Sequence, residues 1–253
     1  MILLYLALPT LIIVPMSFSG ETYLAFPPKS WSLGWYRQVL SDRSWLDAAG
    51  NSFLIGASAA LVATVLGTVA ALGLARGRLA SIGLVSTILV APMMLPHIIL
   101  AIGLYPVMLD IGVLRSYAGV ILGHAVIGLP LVFLTVDAAL KGHSRSLELA
   151  AMTLGAGPWQ SFWRVTLPLI RPGILVGAIL AFTASFDELI LALFLTGATT
   201  RTLPRLIWEQ LNDFLTPAIA AVATLVFVFS LALLSIAALM WRRPRRQFGG
   251  AHG

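Results

Sequence analysis

Apolar residues run in long blocks along this chain, and polar residues collect between the blocks. The blocks fall at approximately 1–18, 51–74, 81–109, 117–140, 173–196 and 218–241. Each is close to the roughly 20 residues that an α-helix needs to cross the hydrocarbon layer of a bilayer. The pattern predicts an all-α, polytopic membrane protein of six transmembrane helices, forming a single domain over 1–253. No fixed-period repeat, low-complexity tract or domain boundary interrupts it.

The blocks differ in kind. Met1 to Phe18 contains Pro9 and Pro15 but no basic leader and no small-residue cleavage site, so it reads as a first span rather than a signal peptide. Asn51 to Leu74 is studded with small residues, Gly56, Ala59, Ala60, Ala63, Gly67 and Ala71 among them. Small side chains let helices approach closely in lipid, which places this span inside a bundle. Ser81 to Leu109 carries Pro92, Pro96 and Pro106 and reads as one kinked span, of the discontinuous sort that often lines a transport pathway. His97, just after Pro96, reads as a packed polar residue. Asp137, near the end of the fourth span, stands four residues before Lys141 and is expected to neutralise it. The fifth span contains Ser185-Phe186-Asp187-Glu188. The segment 19–49 is rich in Trp and Tyr and suits an external loop at the membrane interface.

Composition agrees with the blocks. The chain is 59% hydrophobic and 10% charged, against about 25% charged in soluble domains. Its net charge of +6 does not indicate a nucleic-acid partner, because the basic residues stand at the ends of the blocks. Ten of them lie on one predicted side: Arg76, Arg78, Lys141, Arg145, Arg164, Arg171, Arg242, Arg243, Arg245 and Arg246. Six lie on the other: Lys29, Arg37, Arg43, Arg115, Arg201 and Arg205. The excess marks the first side as cytoplasmic and puts both termini there. Cysteine is absent, the four histidines lack metal-ligand spacing, and no Gly-Lys-Ser/Thr occurs. No metal, cofactor or catalytic residue is therefore expected, and the chain does not read as an enzyme.

The segment 141–172 is the longest polar-interrupted stretch of the C-terminal half, and its bases place it in the cytoplasm. Leu147, Ala150, Ala151 and Leu154 recur at helical spacing, so its first half reads as an amphipathic helix. Gly155 and Gly157-Pro158 break that helix, and Trp159 to Thr166 can form a second one before Leu167-Pro168. A helix-turn-helix held between two spans suggests a docking element for a soluble partner.

The run Ala150-Ala151-Met152-Thr153-Leu154-Gly155-Ala156, with Leu167-Pro168 and Pro172-Gly173 beyond, resembles the EAA loop of ABC-transporter permeases. The resemblance extends to the spans on either side and most of the chain, and is closest to the spermidine/putrescine subfamily. Where that family has Glu before the two alanines this chain has Leu149, with Glu148 one place earlier. The resemblance implies a type I ABC importer permease fold in a bacterial inner membrane. It also implies a second permease subunit, two cytoplasmic ATPase subunits and an external or periplasmic solute-binding protein. In that setting Glu148, Ala150, Ala151, Gly155, Leu167 and Pro168 would form the ATPase-coupling loop, and Gly155 would permit a turn or a close approach.

The expected function is to form, with the second permease, a pathway for a polyamine or a related small cationic or amino-acid-like solute. Asp187 and Glu188 are expected to face that pathway. They lie roughly 20 Å into the fifth span at 1.5 Å per residue, and acids at such depth normally face a bundle interior, a partner charge or water. No Lys or Arg lies within a span to pair with them. An alternative is a secondary transporter driven by an ion gradient, which broken spans and intramembrane acids would also suit.

Overall fold

The structure, a computed structural model, describes residues 10–77, 82–213 and 215–242. Among these, the regular elements are helices, joined only by an isolated bridge between Ser19 and Trp31. The expected first span lies for its first half outside the described residues, and its remainder, 10–16, is helical (α1). Arg78 and the basic tail from Arg243 onward also lie outside them.

A short helix α2, Gly34–Ser41, leads into α3, Arg43–Arg76. Asp42 starts α3 by accepting hydrogen bonds from the Ser44 amide at 2.8 Å and the Ser44 hydroxyl at 2.7 Å. At 34 residues α3 is about 50 Å long, well beyond the apolar layer. It therefore begins in the segment expected to be external loop. Trp45, assigned by its type to the membrane interface, is instead buried in a core beside Val39, Leu206 and Val222.

The centre of the molecule is a three-helix stack of α3, α6 (Tyr117–Lys141) and α9 (Leu167–Phe186). The small residues of α3 fall on one stripe, and Ala59, Ala63 and Ala71 are fully or almost fully buried. A Cβ added at Gly67 would stand 2.9 Å from Val132 Cβ, and one at Gly173 would stand 2.6 Å from Ala139 Cβ. One at Gly177 would meet the Thr135 hydroxyl and lie 2.9 Å from the Val132 Cα. Here glycine sets the helix spacing, because water-free association depends on backbone approach rather than on excluded water.

The expected third span is two helices, α4 (Ile82–Met94) and α5 (His97–Asp110), which meet at 106°. Proline accounts for the break. Pro96 biases Leu95 away from helical geometry, and Pro96 itself is extended at φ −55° and ψ 130°. Pro92 and Pro106, by contrast, are accommodated within helices. The expected fifth span is also divided. α9 stops at Phe186, and after Asp187 to Leu189 a six-residue helix α10, Ile190–Leu195, follows. α10 packs on α5 through Ala101, Met108, Leu191 and Leu195. The expected external segment 197–217 contains an amphipathic helix α11, Leu203–Asp213. It is strapped to α3 by Ser52, whose hydroxyl accepts from the Leu203 amide at 2.7 Å, and Glu209 receives both Arg201 and Arg205. The last helix, α12, Pro217–Arg242, packs against α9 and α2 and leaves Leu225, Val228, Leu231 and Leu239 exposed.

The helices Arg43–Arg76, Tyr117–Lys141, Pro158–Phe186 and Pro217–Met240 are each long and apolar enough to cross a membrane, and the bent α4–α5 pair passes the same test jointly. The chain is an all-α multi-pass membrane protein.

The glycine stack is open to a direct test. Gly177→Leu is expected to lower the melting temperature of the detergent-solubilised protein, since overpacking costs about 1–3 kcal/mol. Gly73→Leu, where the added side chain enters open space, is the control. Equal melting temperatures for the two variants would show that the α6–α9 contact does not set the spacing.

Candidate functional site

Two places in the fold concentrate polar groups that lipid alone would not tolerate. One lies in the segment between α6 and α9 and the other within the bundle.

After α6, α7 (Ser146–Thr153) is followed by Leu154 and Gly155, which has φ +90°. The Gly155 amide donates to Met152 O and the Ala156 amide to Ala151 O, both at 3.0 Å. This is a helix stop that needs a left-handed residue, which glycine adopts without strain. No atom of this chain lies within 4 Å of a Cβ built there, so within the chain Gly155 serves the turn. The short helix α8, Pro158–Ser161, then begins with Pro158 and passes into a π-turn, Phe162–Thr166. In that turn the Leu167 amide reaches back to Phe162 O. The sequence predicts a second short helix over Trp159 to Thr166, before Leu167-Pro168. The chain instead runs straight into α9, so the loop between spans ends at Thr166 rather than at 172. Pro168 sits at the start of α9, where its missing donor costs little.

α7 hardly packs on its own chain. Ala150 is exposed and Ala151 half-buried. Leu147, Leu149, Met152 and Leu154 are all exposed, Leu154 to 89%. Trp159 and Trp163 are exposed as well and form an aromatic trio with Phe162, with centroids 5.5–5.9 Å apart. Apolar surface gathered in one polar-rimmed segment marks an interaction site.

One clasp holds this segment to the bundle. Glu148 Oε1 accepts from Arg76 Nη2 at 3.0 Å and from Thr166 Oγ1 at 2.7 Å, and Arg76 Nη2 also reaches Thr166 Oγ1 at 3.0 Å. The clasp joins the last turn of α3, the helix α7 and the π-turn. Burial raises the Glu148 pKa, but the Thr166 and Arg76 hydrogen bonds and the Arg76 and Arg145 charges outweigh it. The carboxyl ends below its ordinary range. The glutamate one place out of register with the family pattern thus makes an ion pair, and Leu149 is exposed. Lys141 and Asp137 pair at 2.7 Å, as their spacing predicted.

Within the bundle, Asp187 and Glu188 part company. Glu188 is buried, with 6% of its surface exposed. Its Oε1 accepts the Leu191 amide at 3.0 Å and so caps α10, and its Oε2 lies 2.8 Å from His97 Nδ1 at the start of α5. The two helix breaks are therefore joined by one carboxylate. Asp187 is exposed, and its carboxylate receives only long hydrogen bonds from Ser230 Oγ, at 3.3 and 3.4 Å. Ser230 stands halfway along α12, which puts Asp187 beside the middle of that helix and not beside its end. The rings of Phe182, Phe186 and Phe229 pack together on the same two helices, with centroids 5.1–6.1 Å apart. Behind them, buried His124 on α6 lies with Nδ1 2.8 Å from Ser185 Oγ.

Both acids were expected at the pathway. The geometry separates them and adds His97, Arg76, Thr166 and Ser230, none of which had been assigned to a site; His97 had been read only as a packed polar residue. His97 carried a signal, since it is the first helical residue after a proline break. The pairing with Glu188 carried none, being remote in sequence.

Residues 63–246 match the family model described as "Binding-protein-dependent transport system inner membrane component". The chain is 32% identical over 240 residues to the spermidine/putrescine transport system permease protein PotC of Haemophilus influenzae, covering 94% of this chain and 93% of that one. It is 34% identical over 229 residues to the putrescine transport system permease protein PotI of Escherichia coli, covering 88% and 81%. Among solved structures it superimposes on a bacterial ABC transporter involved in the import of the acidic polysaccharide alginate. The TM-score is 0.70 at 18% identity, over 94% of this chain and 91% of that one.

The clasp predicts a pH response with a defined sign. Because the folded Glu148 pKa is lowered, its contribution is present above the ordinary carboxylate range and is lost as pH falls through the folded value. A spin label at Met152→Cys, the only thiol in the chain, is expected to be ordered at neutral pH and to gain mobility on acidification. Adding Glu148→Ala is expected to give the mobile spectrum at every pH. An ordered label in the Glu148→Ala background would show that something other than the clasp holds α7.

Proposed function

The chain belongs to the family of binding-protein-dependent transport system inner membrane components, as a multi-pass permease of an ABC importer, and from that premise we propose that it conducts a polyamine. The pathway is formed between this single-domain chain and a second permease subunit. An external solute-binding protein delivers the solute. Two cytoplasmic ATPase subunits hydrolyse the ATP, and this chain performs no covalent chemistry. Both termini lie in the cytoplasm.

The coupling element is the segment after α6. Leu147, Leu149, Met152 and Leu154 present the apolar face, with Ala150 and Ala151 allowing close approach of the ATPase. Gly155 turns the chain, and Glu148 anchors the face to Arg76 and Thr166. Leu167 and Pro168 open the helix that carries the motion onward. No break separates α8 from α9, so displacement of the docked face is delivered along a nearly continuous helix to Phe186.

The observation that supports a cationic solute is the outward carboxylate of Asp187. A carboxylate at mid-span depth is costly unless it meets a partner charge or water. Its contacts within the chain are the two long bonds from Ser230. Phe182, Phe186 and Phe229 lie alongside, and aromatic faces attract ammonium groups. Polyamines are also what the named relatives from Haemophilus influenzae and Escherichia coli transport. Glu188 supports the reading indirectly, by fixing the turn on which Asp187 stands.

In proteoliposomes holding the whole importer, spermidine or putrescine uptake is expected to require ATP and to survive collapse of ion gradients. Asp187→Asn is expected to raise the KM for the polyamine about tenfold, the size of one lost hydrogen bond to a charged group. Unchanged uptake kinetics in Asp187→Asn would remove the cation assignment. Uptake driven by a gradient without ATP would remove the importer mechanism. A reporter fused after Trp241 and active only outside the cytoplasm would reverse the proposed orientation.

A further inference from the structure

Two helices of this chain are interrupted inside the bundle, one before His97 and one at Asp187 to Leu189. Interruptions leave amide groups that cannot turn to water in a bilayer, and each needs a partner. Glu188 takes an amide at the second break and a side chain at the first, and so joins the two. One oxygen takes the Leu191 amide of α10 at 3.0 Å, and the other takes His97 Nδ1 of α5 at 2.8 Å. A carboxylate only accepts, so Nδ1 carries the hydrogen whether the ring is neutral or charged. The ring is otherwise 41% exposed. Below this clasp α5 and α10 pack through Ala101, Met108, Leu191 and Leu195. At the far end of α10 the Arg115 amide donates to Leu195 O at 3.1 Å, and Arg205 donates to Thr196 O at 2.7 Å. α5 and α10 thus form one body, fixed at both ends. Its tie to α9 is the break at Asp187 to Leu189.

We propose that His97 is a positioning residue for transport: through Glu188 it makes α5 follow the movement of α9, so that ATP-driven displacement reaches the gated part of the pathway. The inference rests on the importer reading above but not on the identity of the solute. α9 begins at the π-turn beside the docking face and ends at the break. Motion entering at Thr166 leaves at Phe186. With the hydrogen bond in place the α5–α10 body must move with it. Without the bond, the break becomes a hinge that absorbs the motion, and ATP is spent with less solute moved.

The test is the number of ATP molecules hydrolysed per solute imported, measured on the whole importer in proteoliposomes. Simple destabilisation lowers hydrolysis and uptake together and leaves this ratio unchanged. In His97→Leu, which keeps the bulk and removes the donor, the ratio is expected to rise about tenfold, the size of one lost hydrogen bond to a charged group. His97→Asn places an amide N–H where Nδ1 stood and is expected to bring the ratio back to near the wild-type value. A wild-type ratio in His97→Leu would overturn the proposal, and so would an equal rise in both variants. If His97→Leu does not assemble, Glu188→Asp carries the test. Its shorter arm cannot reach both Leu191 and His97, and a wild-type ratio there would overturn the proposal equally. Failure of wild-type uptake to need ATP would instead count against the importer reading and leave the ratios undefined for a separate reason.

Discussion

A helix that stops within a bilayer must hand its free amide groups to some partner other than water, and an ionised side chain there must be paired. Glu188 meets both requirements with one group. Its position explains why α10 can begin in the membrane without a Ser, Thr or Asn cap. It explains why His97 stands directly after Pro96, and why the buried carboxylate is tolerated at 6% exposure. Remove it, and two half-helices lose their common anchor. Burying a carboxylate gives little net stability, since desolvation offsets its attraction to donors, so its value here is geometric: it fixes which turn faces which.

The rest of the bundle supplies what that anchor lacks, a rigid frame. The glycine and alanine contacts among α3, α6 and α9 bring backbones so close that a single Cβ at Gly67, Gly173 or Gly177 would collide. Helices seated this way do not slide past one another easily. α9 is the member of the frame that touches both polar clusters, starting at the π-turn and ending at the break. The frame therefore limits movement of α9 to motion of the helix as a whole, and that is what a transmitting element needs.

Reading the chain alone located the helices that are continuous. α6 and α12 match their apolar blocks to within a residue or so, because hydropathy reports where lipid is. The proline break at Pro96 was legible as a kink, although not as a 106° turn, since proline forbids one geometry without choosing another. The second break carries no proline or glycine. It is made by Asp187 and Glu188, and only the position of His97 in space reveals why a helix ends there. In the segment between α6 and α9, Gly155 was legible because a left-handed residue is chemically distinctive. The Glu148 clasp was not, since Arg76 and Thr166 lie far away in sequence.

Adjacent carboxylates on one turn invite the same role, yet their surroundings assign them different ones. Residues next to each other on a helix point about 100° apart, and at a helix end the divergence grows. Glu188 has the longer arm and reaches inward to two fixed donors. Asp187, shorter by one methylene, ends α9 and cannot reach the same donors. It is left with a serine hydroxyl at 3.3–3.4 Å, a distance at which little of a hydrogen bond remains. The inner carboxylate is thus satisfied by the protein and the outer one is not. Of the two, Asp187 makes the weaker contacts within this chain, and Glu188 fixes the turn on which it stands.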